Sequence, residues 1–466
     1  MGQVRTARAL CPVLVGRNDE LAGLTAALDR ARAGRGGAVA LDGEAGVGKT
    51  RLARELVTAA SHRGMLTLLG RAVEHGSSPY RPLAEALLPL ARDGRVPDHP
   101  MLRPYRPALG SLVPDWAGDS AVDVSPLILA EGILRVGRVA SPAEGTLVVL
   151  EDVHWADPDT LAAIEYLVDH AGAEPLLVLV THRRGHAGPA ADLLGALEAR
   201  GVLDLRPLDR LTVDQVAVMA ASCGLGEPVD PELVEAVARR SEGLPLLVEE
   251  LLAVPAAGVD QAVPDTFAAT VTRRLASLSA PSVLVLQSAA VLGRRFDWRL
   301  LPRVTGLHDD EVRPALEDGV SLQLLTASED GFLFRHALTR DAVVGAMLPP
   351  TRTALARRAA QALAEAGNDP EQAALAAELW LAAGDGDAAV RHLLDAGRAA
   401  TASGALASAE RLLEGAATVP TDPALSAEIS EHLVETLALA AKLDAARDAG
   451  RRALAQLEQR RHQDVP

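Results

Sequence analysis

Lysine is almost absent from this chain. Of the 46 basic residues in the 466-residue sequence, only Lys49 and Lys442 are lysine, so arginine supplies the other 44. A chain with this bias accepts arginine wherever any cation suffices, and a retained lysine therefore indicates a position that a planar guanidinium does not fit. Lys49 lies at the end of a glycine-rich segment. This makes it the first candidate for a functional side chain.

Aromatic residues, cysteines and long apolar runs are also scarce. Phe, Trp and Tyr make up 2% of the sequence, which favours closely packed helices over sandwiches or barrels. Cys11 and Cys223 are far apart and lack metal-ligand spacing, as expected of a reduced cytoplasmic protein. No stretch approaches 18 uninterrupted apolar residues, and Pro12 interrupts the short apolar run at residues 9–15. We therefore expect neither a membrane span nor a signal peptide.

The charge of the chain limits its partners. A net charge of −16 argues against a surface that binds nucleic acid by bulk electrostatics. No run of basic residues with interleaved aromatics marks a separate basic module. We therefore expect no direct DNA binding by these 466 residues, which are numerous enough for three or four domains.

An apolar strand, a glycine-rich turn and a helix organise the N-terminal part. The apolar run at residues 38–41 leads into a segment that fits G-x-x-x-x-G-K-[ST], and apolar residues at helical spacing follow until Gly64. Glycines let backbone N–H groups turn toward phosphate oxygens, Lys49 supplies a point charge to the β- and γ-phosphates, and Thr50 offers a hydroxyl to Mg²⁺. The predicted ATP- or ADP-binding loop comprises Gly43, Glu44, Ala45, Gly46, Val47, Gly48, Lys49, Thr50 and Arg51.

A second apolar run, at residues 146–150, ends in Glu151 and Asp152. An apolar strand that delivers two carboxylates is the Walker B arrangement, in which the first acid holds Mg²⁺ and the second orients or deprotonates the attacking water. The common pattern has Asp first, and the longer Glu151 could move the metal. The sequence thus supports nucleotide binding more firmly than hydrolysis, and an ordinary acidic loop is the alternative interpretation.

Further strands are predicted at residues 65–73, 175–180 and 202–205. Their alternation with helices indicates a five-stranded parallel sheet covered on both faces, with the ligand at the carboxyl ends of the strands. The strand at 175–180 ends in Thr181-His182-Arg183-Arg184, where Arg183 is placed to sense a γ-phosphate. A solvated basic turn is the competing interpretation.

Helices dominate from residue 208 onward. Helices at 270–278, 280–292 and 309–317, followed by a hairpin of residues 322–325 and 331–334, predict a winged helix, and the Ala-rich segment after it predicts stacked helical hairpins. We divide the chain into a P-loop ATPase domain (1–206), a helical lid (207–260), a winged-helix domain (261–348) and a tetratricopeptide-like array (349–466).

Six motifs taken together resemble one family. They are Leu14-Val15-Gly16-Arg17, the segment from Gly43 to Thr50, Leu150-Glu151-Asp152-Val153-His154-Trp155-Ala156-Asp157, Thr181-His182-Arg183, Gly243-Leu244-Pro245-Leu246-Leu247-Val248-Glu249-Glu250-Leu251 and Phe334-Arg335-His336-Ala337-Leu338. In this order they are similar to the signal-transducing STAND ATPases, a class of AAA-like P-loop proteins, and especially to the large ATP-binding LuxR-type transcriptional regulators of bacteria.

The resemblance implies roles for residues that spacing alone leaves undecided. Val15, Gly16 and Arg17 would lie beside the adenine with Pro245 across from Arg17, and His336 would reach from the winged helix to the β-phosphate. A lone histidine or a Gly-x-Pro helix break is otherwise an ordinary structural feature. In the family, ADP holds the domains closed, whereas an inducer and ATP open them for self-association. The LuxR-type helix-turn-helix of those regulators is not found here, so the sequence represents a fragment or a short member with another output.

Three functions remain open on the sequence. The first is a slow ATPase that acts as a signal-transduction switch linked to transcription, with an unknown inducer or protein partner on the helical array. The second is a nucleotide-binding scaffold with little turnover, and the third is a P-loop kinase for a small molecule. The acid pair and the large helical C-terminal half favour switching over phosphate transfer to a substrate.

Overall fold

The computed structural model describes residues 11–74, 79–94, 99–116, 125–225, 229–252, 267–328, 331–366 and 370–463. Its first part alternates strands and helices. In chain order these are α1 (Asn18–Arg32), β1 (Gly37–Gly43), α2 (Lys49–Ser61), β2 (Leu66–Arg71), α3 (Arg81–Arg92), α4 (Arg106–Leu112), α5 (Pro126–Ala140), β3 (Thr146–Glu151), α6 (Pro158–Ala171), β4 (Leu176–Arg183), α7 (Pro189–Ala199) and β5 (Asp204–Pro207).

The five strands form one parallel sheet in the order β2-β3-β4-β1-β5, which confirms the predicted P-loop core. Side chains alternate along each strand. On one face Leu147 and Val149 of β3 pack with Leu52 and Leu56 of α2, and the opposite face packs against α3, α5 and α6. This layering places the start of α2, at Lys49, over the carboxyl ends of the central strands.

The fifth strand lies later in the chain than predicted. Residues 202–205 were expected from their apolar character, whereas β5 runs to Pro207 and pairs with β1 alone. A proline, which cannot donate a backbone hydrogen bond, is tolerated on such an edge strand. The predicted boundary at residue 206 therefore falls inside β5.

A group of short helices follows the sheet. They are α8 (Val213–Ala220), α9 (Pro231–Ser241) and α10 (Pro245–Leu252). Thr212 caps α8 in a capping box with Gln215, and the Asp230 carboxylate accepts from the Glu232 N–H at the start of α9, as these residue types favour. The boundary predicted at 260/261 lies outside the described residues.

The next region contains helices and a small antiparallel sheet. Its elements are α11 (Phe267–Ala276), α12 (Ala280–Leu292), β6 (Arg295–Phe296), α13 (Leu301–Thr305), α14 (Asp309–Ser321), β7 (Leu325–Ser328), β8 (Gly331–Phe334) and α15 (Ala337–Gly345), with strand order β6-β8-β7. The second strand of the hairpin lies at the predicted residues 331–334. The first strand was predicted from Leu322 but begins at Leu325, because Gln323 adopts φ 59°. β6 has two residues, too few for a periodic signal.

Six helices complete the described chain. They are α16 (Pro349–Ala366), α17 (Pro370–Ala382), α18 (Gly386–Ala402), α19 (Leu406–Thr418), α20 (Pro423–Leu439) and α21 (Leu443–Gln463). Each packs against the next, as predicted for a tetratricopeptide-like array. Ala400, Ala405 and Ala409 are buried within the core of the first domain, so the array folds back onto the sheet region. No helix in the described ranges has the length and apolarity needed to cross a bilayer.

Candidate nucleotide-binding site

The loop between β1 and α2 has the backbone shape of a phosphate-binding loop. Gly46 and Gly48 adopt φ values of 83° and 106°, which side chains other than glycine rarely allow. Lys49 is 7% exposed, and its Nζ donates to the carbonyl oxygens of Gly43 at 2.6 Å and Glu44 at 2.9 Å. The ammonium therefore lies inside the loop, at the predicted position.

Burial is the largest influence on the pKa of Lys49. Desolvation lowers the pKa of its ammonium, while the negative charges of Asp152 and Asp42 raise it. The basic side chains of Arg183 and Arg184 add a further lowering of that pKa. Five charged groups from β1, α2, β3 and β4 thus meet at the carboxyl edge of the sheet, where ligands of open α/β sheets bind.

Other predicted loop residues are held by neighbouring segments. Glu44 forms two hydrogen bonds with Arg210, at 2.7 and 2.9 Å. Arg51 donates from its two terminal nitrogens to the carbonyls of Cys11 and Pro12, each at 3.2 Å. The Leu246 N–H donates to the Gly46 carbonyl at 3.3 Å. These contacts hold the loop between the N-terminal segment and α10.

The segment before α1 packs beside the loop. Val15 lies against the apolar cluster of α8 to α10, and Gly16 adopts φ 65° next to the Gln215 side chain. Arg17 is 4% exposed and donates to the carbonyls of Val47, at 3.1 Å, and Asp209. Its guanidinium thus joins the loop to the segment after β5.

Pro245, the first residue of α10, directly precedes Leu246, which contacts Gly46. Arg17 contacts the loop directly and Pro245 adjoins a residue that does, whereas Val15 packs against α8 to α10. Their positions beside an adenine stay a prediction.

The two Walker B acids lie at the end of β3. Glu151 is 5% exposed and Asp152 follows with φ 57°, a left-handed conformation that Asp tolerates and that clusters at functional sites. The Asp152 N–H donates to the Thr181 hydroxyl at 2.8 Å, which fixes the end of β3 against β4. Burial raises the pKa of the Asp152 carboxyl, Arg71 lowers it, and Glu151 raises it again.

Arg71 is a site residue that the sequence did not reveal. It ends β2 and is the register partner of Glu151 across the parallel strands. Its Nη2 donates to Glu151 Oε2, and its Nε lies 3.8 Å from Asp152 Oδ2. The only sequence signal was an arginine at the end of a predicted strand, and the neighbour of that strand was unknown.

Arg183 ends β4 at the same edge, as predicted. It is half-buried, and its positive charge lowers the pKa values of Lys49, Glu74 and His154. Within the described ranges its side chain forms no hydrogen bond or ion pair. The adjacent Arg184 is bound to Asp42 at 3.0 Å, so of this pair Arg183 has the side chain available to a ligand.

His336 belongs to the winged-helix region and lies immediately before α15. Its Nε2 is buried without a hydrogen-bond partner in the described chain. Burial, with contributions from Arg335, Arg294 and Arg54, lowers its pKa to about 3, so the imidazole is neutral. Arg54 belongs to α2, which places His336 near the P-loop helix. Its contact with a β-phosphate stays a prediction.

Arg294 is a second residue that sequence reasoning missed. It precedes β6, and its positive charge lowers the pKa of the Asp152 carboxyl. Burial lowers the pKa of its own guanidinium, and Arg71 adds to this lowering. The winged-helix region thus places a half-buried cation close enough to the Walker B acids to act on their charge.

The residues fit a magnesium nucleotide. Glu151 Oε1 is buried with no partner in the described chain, and the acids face the helix that begins with Lys49 and Thr50. In the described ranges no three His, Cys, Asp or Glu side chains form a metal cage. Glu151 and Asp152 offer the one or two carboxylates that Mg²⁺ takes in addition to waters and phosphate oxygens.

Comparison with known proteins agrees with this geometry. Residues 13–179 match the family model described as the AAA ATPase domain. About a third of the chain is therefore similar to the AAA ATPase domain. The matched segment includes the P-loop and the Walker B acids.

Two relatives extend beyond that domain. An uncharacterized protein of Rhizobium meliloti is 26% identical over 389 residues, which cover 74% of this chain and 36% of that protein. A Signal Transduction ATPase with Numerous Domains (STAND) protein with a tetratricopeptide repeat sensor from Pyrococcus horikoshii has a similar fold, with a TM-score of 0.52 at 14% identity, covering 97% of this chain and 66% of that one. The matched region therefore spans about a third of the Rhizobium protein and about two thirds of the Pyrococcus one. The second similarity is one of fold, a sheet domain followed by a helical array.

Proposed function

We propose that the chain is a nucleotide-controlled switch that binds and slowly hydrolyses ATP and changes the contact between its ATPase domain and its helical array. The observation that carries this proposal is a buried polar contact between the two parts. Asp159 Oδ2 accepts from the Ser408 N–H at 2.7 Å, and Asp157 Oδ1 accepts from the Ser408 hydroxyl at 3.1 Å. All three residues are at most 4% exposed.

This contact begins five residues after Asp152. Asp157 also accepts from the N–H groups of Thr160, at 2.9 Å, and Tyr80, at 3.2 Å, so it fixes the segment between the Walker B acids and α6. A movement of Asp152 would shift Asp157 and Asp159 through this short segment, and would thereby change the hydrogen bonds that they accept from Ser408. The helical array is thereby coupled to the nucleotide site.

The winged-helix region supplies a second connection. Arg340 of α15 lies 3.5 Å from Glu74, shortly after β2, and donates from Nε to the Ala290 carbonyl at 2.9 Å. With His336 and Arg294 near the P-loop helix, a polyphosphate bound at Lys49 would lie between two domains. We propose that His336 serves the β-phosphate of ADP, which stabilises the closed form.

The proposed site residues have separate tasks. Lys49 and the loop N–H groups would bind the phosphates, and Thr50, Glu151 and Asp152 would hold Mg²⁺, which neutralises charge that develops on the phosphates. Asp152 would orient or deprotonate the attacking water, and Arg183 would contact the γ-phosphate. Catalysis of this kind depends on position and charge more than on covalent chemistry.

The signalling part of the proposal rests on two similarities. A tetratricopeptide repeat sensor is named in the similar Pyrococcus protein, and the motifs resemble those of LuxR-type regulators. We propose that the array binds an inducer or protein partner, that the ATP form self-associates, and that the output is control of transcription.

One observation favours the alternative function, a nucleotide-binding scaffold with little turnover. Glu151, in the first acid position, is already bound to Arg71. If that ion pair excludes Mg²⁺, ATP would be held without efficient hydrolysis.

Two variants test the proposal, and the chain offers a matched control. Lys49→Ala should abolish ATP binding in calorimetry with Mg²⁺, whereas Lys442→Ala, at the other lysine, should bind as the wild type, because Lys442 is on the surface and paired with Glu410. Asp152→Asn should retain ATP but slow hydrolysis, since the amide keeps the shape and loses the base. Normal ATP affinity in Lys49→Ala would contradict the site, and equal turnover in Asp152→Asn would favour the scaffold.

A further inference from the structure

Arg71 occupies a position next to both Walker B acids that no motif assigns. Glu151 and Arg71 are register partners on adjacent parallel strands, so their side chains lie on the same face of the sheet. This face is the one covered by α2, because Leu147 and Val149, which alternate with Glu151 in phase, pack against Leu52 of that helix. Arg71 and Glu151 therefore share the face on which the P-loop helix begins.

The contacts of Arg71 are divided between the two acids. Nη2 donates to Glu151 Oε2, and Nε lies 3.8 Å from Asp152 Oδ2. The Arg71 backbone N–H donates to Glu85 Oε2 at 3.2 Å, which ties the end of β2 to α3. A single planar guanidinium, itself anchored through its backbone, thus spans both carboxylates.

This arrangement leaves one oxygen of Glu151 available. Oε2 is bound to Arg71, whereas Oε1 is buried and has no partner in the described part of the chain. Without the guanidinium, the buried carboxylate of Glu151 and the half-buried carboxylate of Asp152 would repel each other. With it, the hydrogen bond to Oε2 sets the orientation of Glu151, and Arg71 Nε, which has no hydrogen-bond partner in the described chain, attracts the Asp152 carboxylate across 3.8 Å.

Resting on the function proposed above, we propose that Arg71 is a positioning residue of the ATPase centre, which presents Glu151 and Asp152 to the magnesium nucleotide. Arg71 acts through the acids. Outer partners of metal ligands orient those ligands, and their loss commonly reduces metal affinity or activity 10- to 100-fold. The ion pair between Arg71 and Glu151 thus supports metal binding and does not compete with it.

The test measures ATP affinity with Mg²⁺ and with a chelator in the wild type, Arg71→Gln, Arg71→Lys and the control Arg63→Gln. Arg63 pairs with Asp29 at 2.8 Å on the surface of the same domain. We expect similar affinities for all four proteins in the chelator. The gain in ATP affinity on adding Mg²⁺ should be about 10- to 100-fold smaller for Arg71→Gln than for Arg63→Gln. In Arg71→Gln, kcat for ATP hydrolysis should fall by a similar factor, while KM changes less.

Arg71→Lys should recover part of the gain, because an ammonium keeps the charge but lacks the two-pronged fork. An Arg71→Gln protein with the same magnesium gain as Arg63→Gln would overturn the proposal. A larger gain would also overturn it, since it would show that Arg71 competes with the metal. If circular dichroism shows that Arg71→Gln is unfolded, Arg71→Lys is compared with Arg63→Gln instead. An equal gain in ATP affinity with Mg²⁺ in those two proteins would overturn the proposal.

The wild type and Arg71→Gln together distinguish failure of the Arg71 role from failure of the proposed switch. A wild-type chain that gains no affinity from Mg²⁺ would contradict both. A wild-type gain that persists in Arg71→Gln would contradict the role of Arg71 and leave the switch intact. Loss of binding in Lys49→Ala remains the independent measure of the P-loop.

Discussion

The contact between Asp159 and Ser408 allows a direct measurement of how firmly the helical array is docked. Ser408 is the third residue of α19, whose own capping position is occupied by Ala405, a residue with no side-chain acceptor. Asp159, in the first turn of α6, accepts the Ser408 N–H instead. The ATPase domain therefore caps a helix of the array, and Asp159→Ala removes this cap.

The expected size of the effect follows from the chemistry of capping. Loss of a capping side chain costs about 0.5–2 kcal/mol, and a hydrogen bond to a charged acceptor contributes roughly 1.5–3 kcal/mol. Burial raises the pKa of the Asp159 carboxyl, although the Ser408 N–H lowers it, so desolvation offsets part of the hydrogen bond. We expect a net loss of about 1–2 kcal/mol, which shifts the ratio of docked to undocked array about 5- to 30-fold.

Amide hydrogen exchange in the presence of ADP measures this shift, because local opening sets the exchange rate of protected amides. Peptides that cover residues 405–413 should exchange about 5- to 30-fold faster in Asp159→Ala. Peptides from β1 and β4 should be unchanged. The matched control is Asp192→Ala, which removes an exposed aspartate from the first turn of α7 in the same domain.

Two results would refute the reasoning. Equal protection of residues 405–413 in Asp159→Ala and Asp192→Ala would show that the polar contact does not hold the array. Faster exchange throughout the sheet would show that Asp159 stabilises the domain as a whole and does not control docking.

The remaining predictions concern the winged-helix side. His336→Ala should weaken ADP more than ATP and favour the self-associating form about 10- to 100-fold, because a hydrogen bond to a phosphate contributes roughly 1.5–3 kcal/mol; equal monomer fractions with ADP in analytical ultracentrifugation would contradict this. The His336 pKa is about 3 when closed and about 6.5 when solvated, so the open form binds the extra proton and closure weakens as pH falls below about 6.5. Without nucleotide, the ratio of closed to open chain should drop about tenfold between pH 7.5 and 5.5 relative to His336→Gln. The purified chain, at a net charge of −16, should show no sequence-specific promoter shift at physiological salt.

The sequence predicted the features that depend on neighbouring residues. The strand, glycine turn and helix around Lys49 are local, and so are the caps at Thr212 and Asp230. The order of apolar runs sufficed for a parallel sheet, because strands that alternate with helices have few alternatives. The Walker B acids were found for the same reason, as they directly follow a buried strand.

The missed residues all depend on distant pairs. Arg71 and Glu151 are 80 positions apart, and Asp159 and Ser408 are 249 positions apart. Neither pair has a local pattern, since strand neighbours and domain contacts are set by tertiary packing. Arg294 likewise acquires its place only when the winged-helix region lies over α2.

The charges around His336 explain why a nucleotide would favour closure. Arg294, Arg335 and Arg54 all lower the pKa of this imidazole, and Arg294 is further opposed by Arg71. Bringing the winged-helix region to the P-loop helix therefore gathers like charges in a buried space, where their repulsion is strong. A polyphosphate between them reverses the sign of that interaction, and its benefit exists only while the two regions are together. A ligand stabilises a conformation by its differential affinity for it, so phosphates that contact both regions must shift the equilibrium toward the closed form.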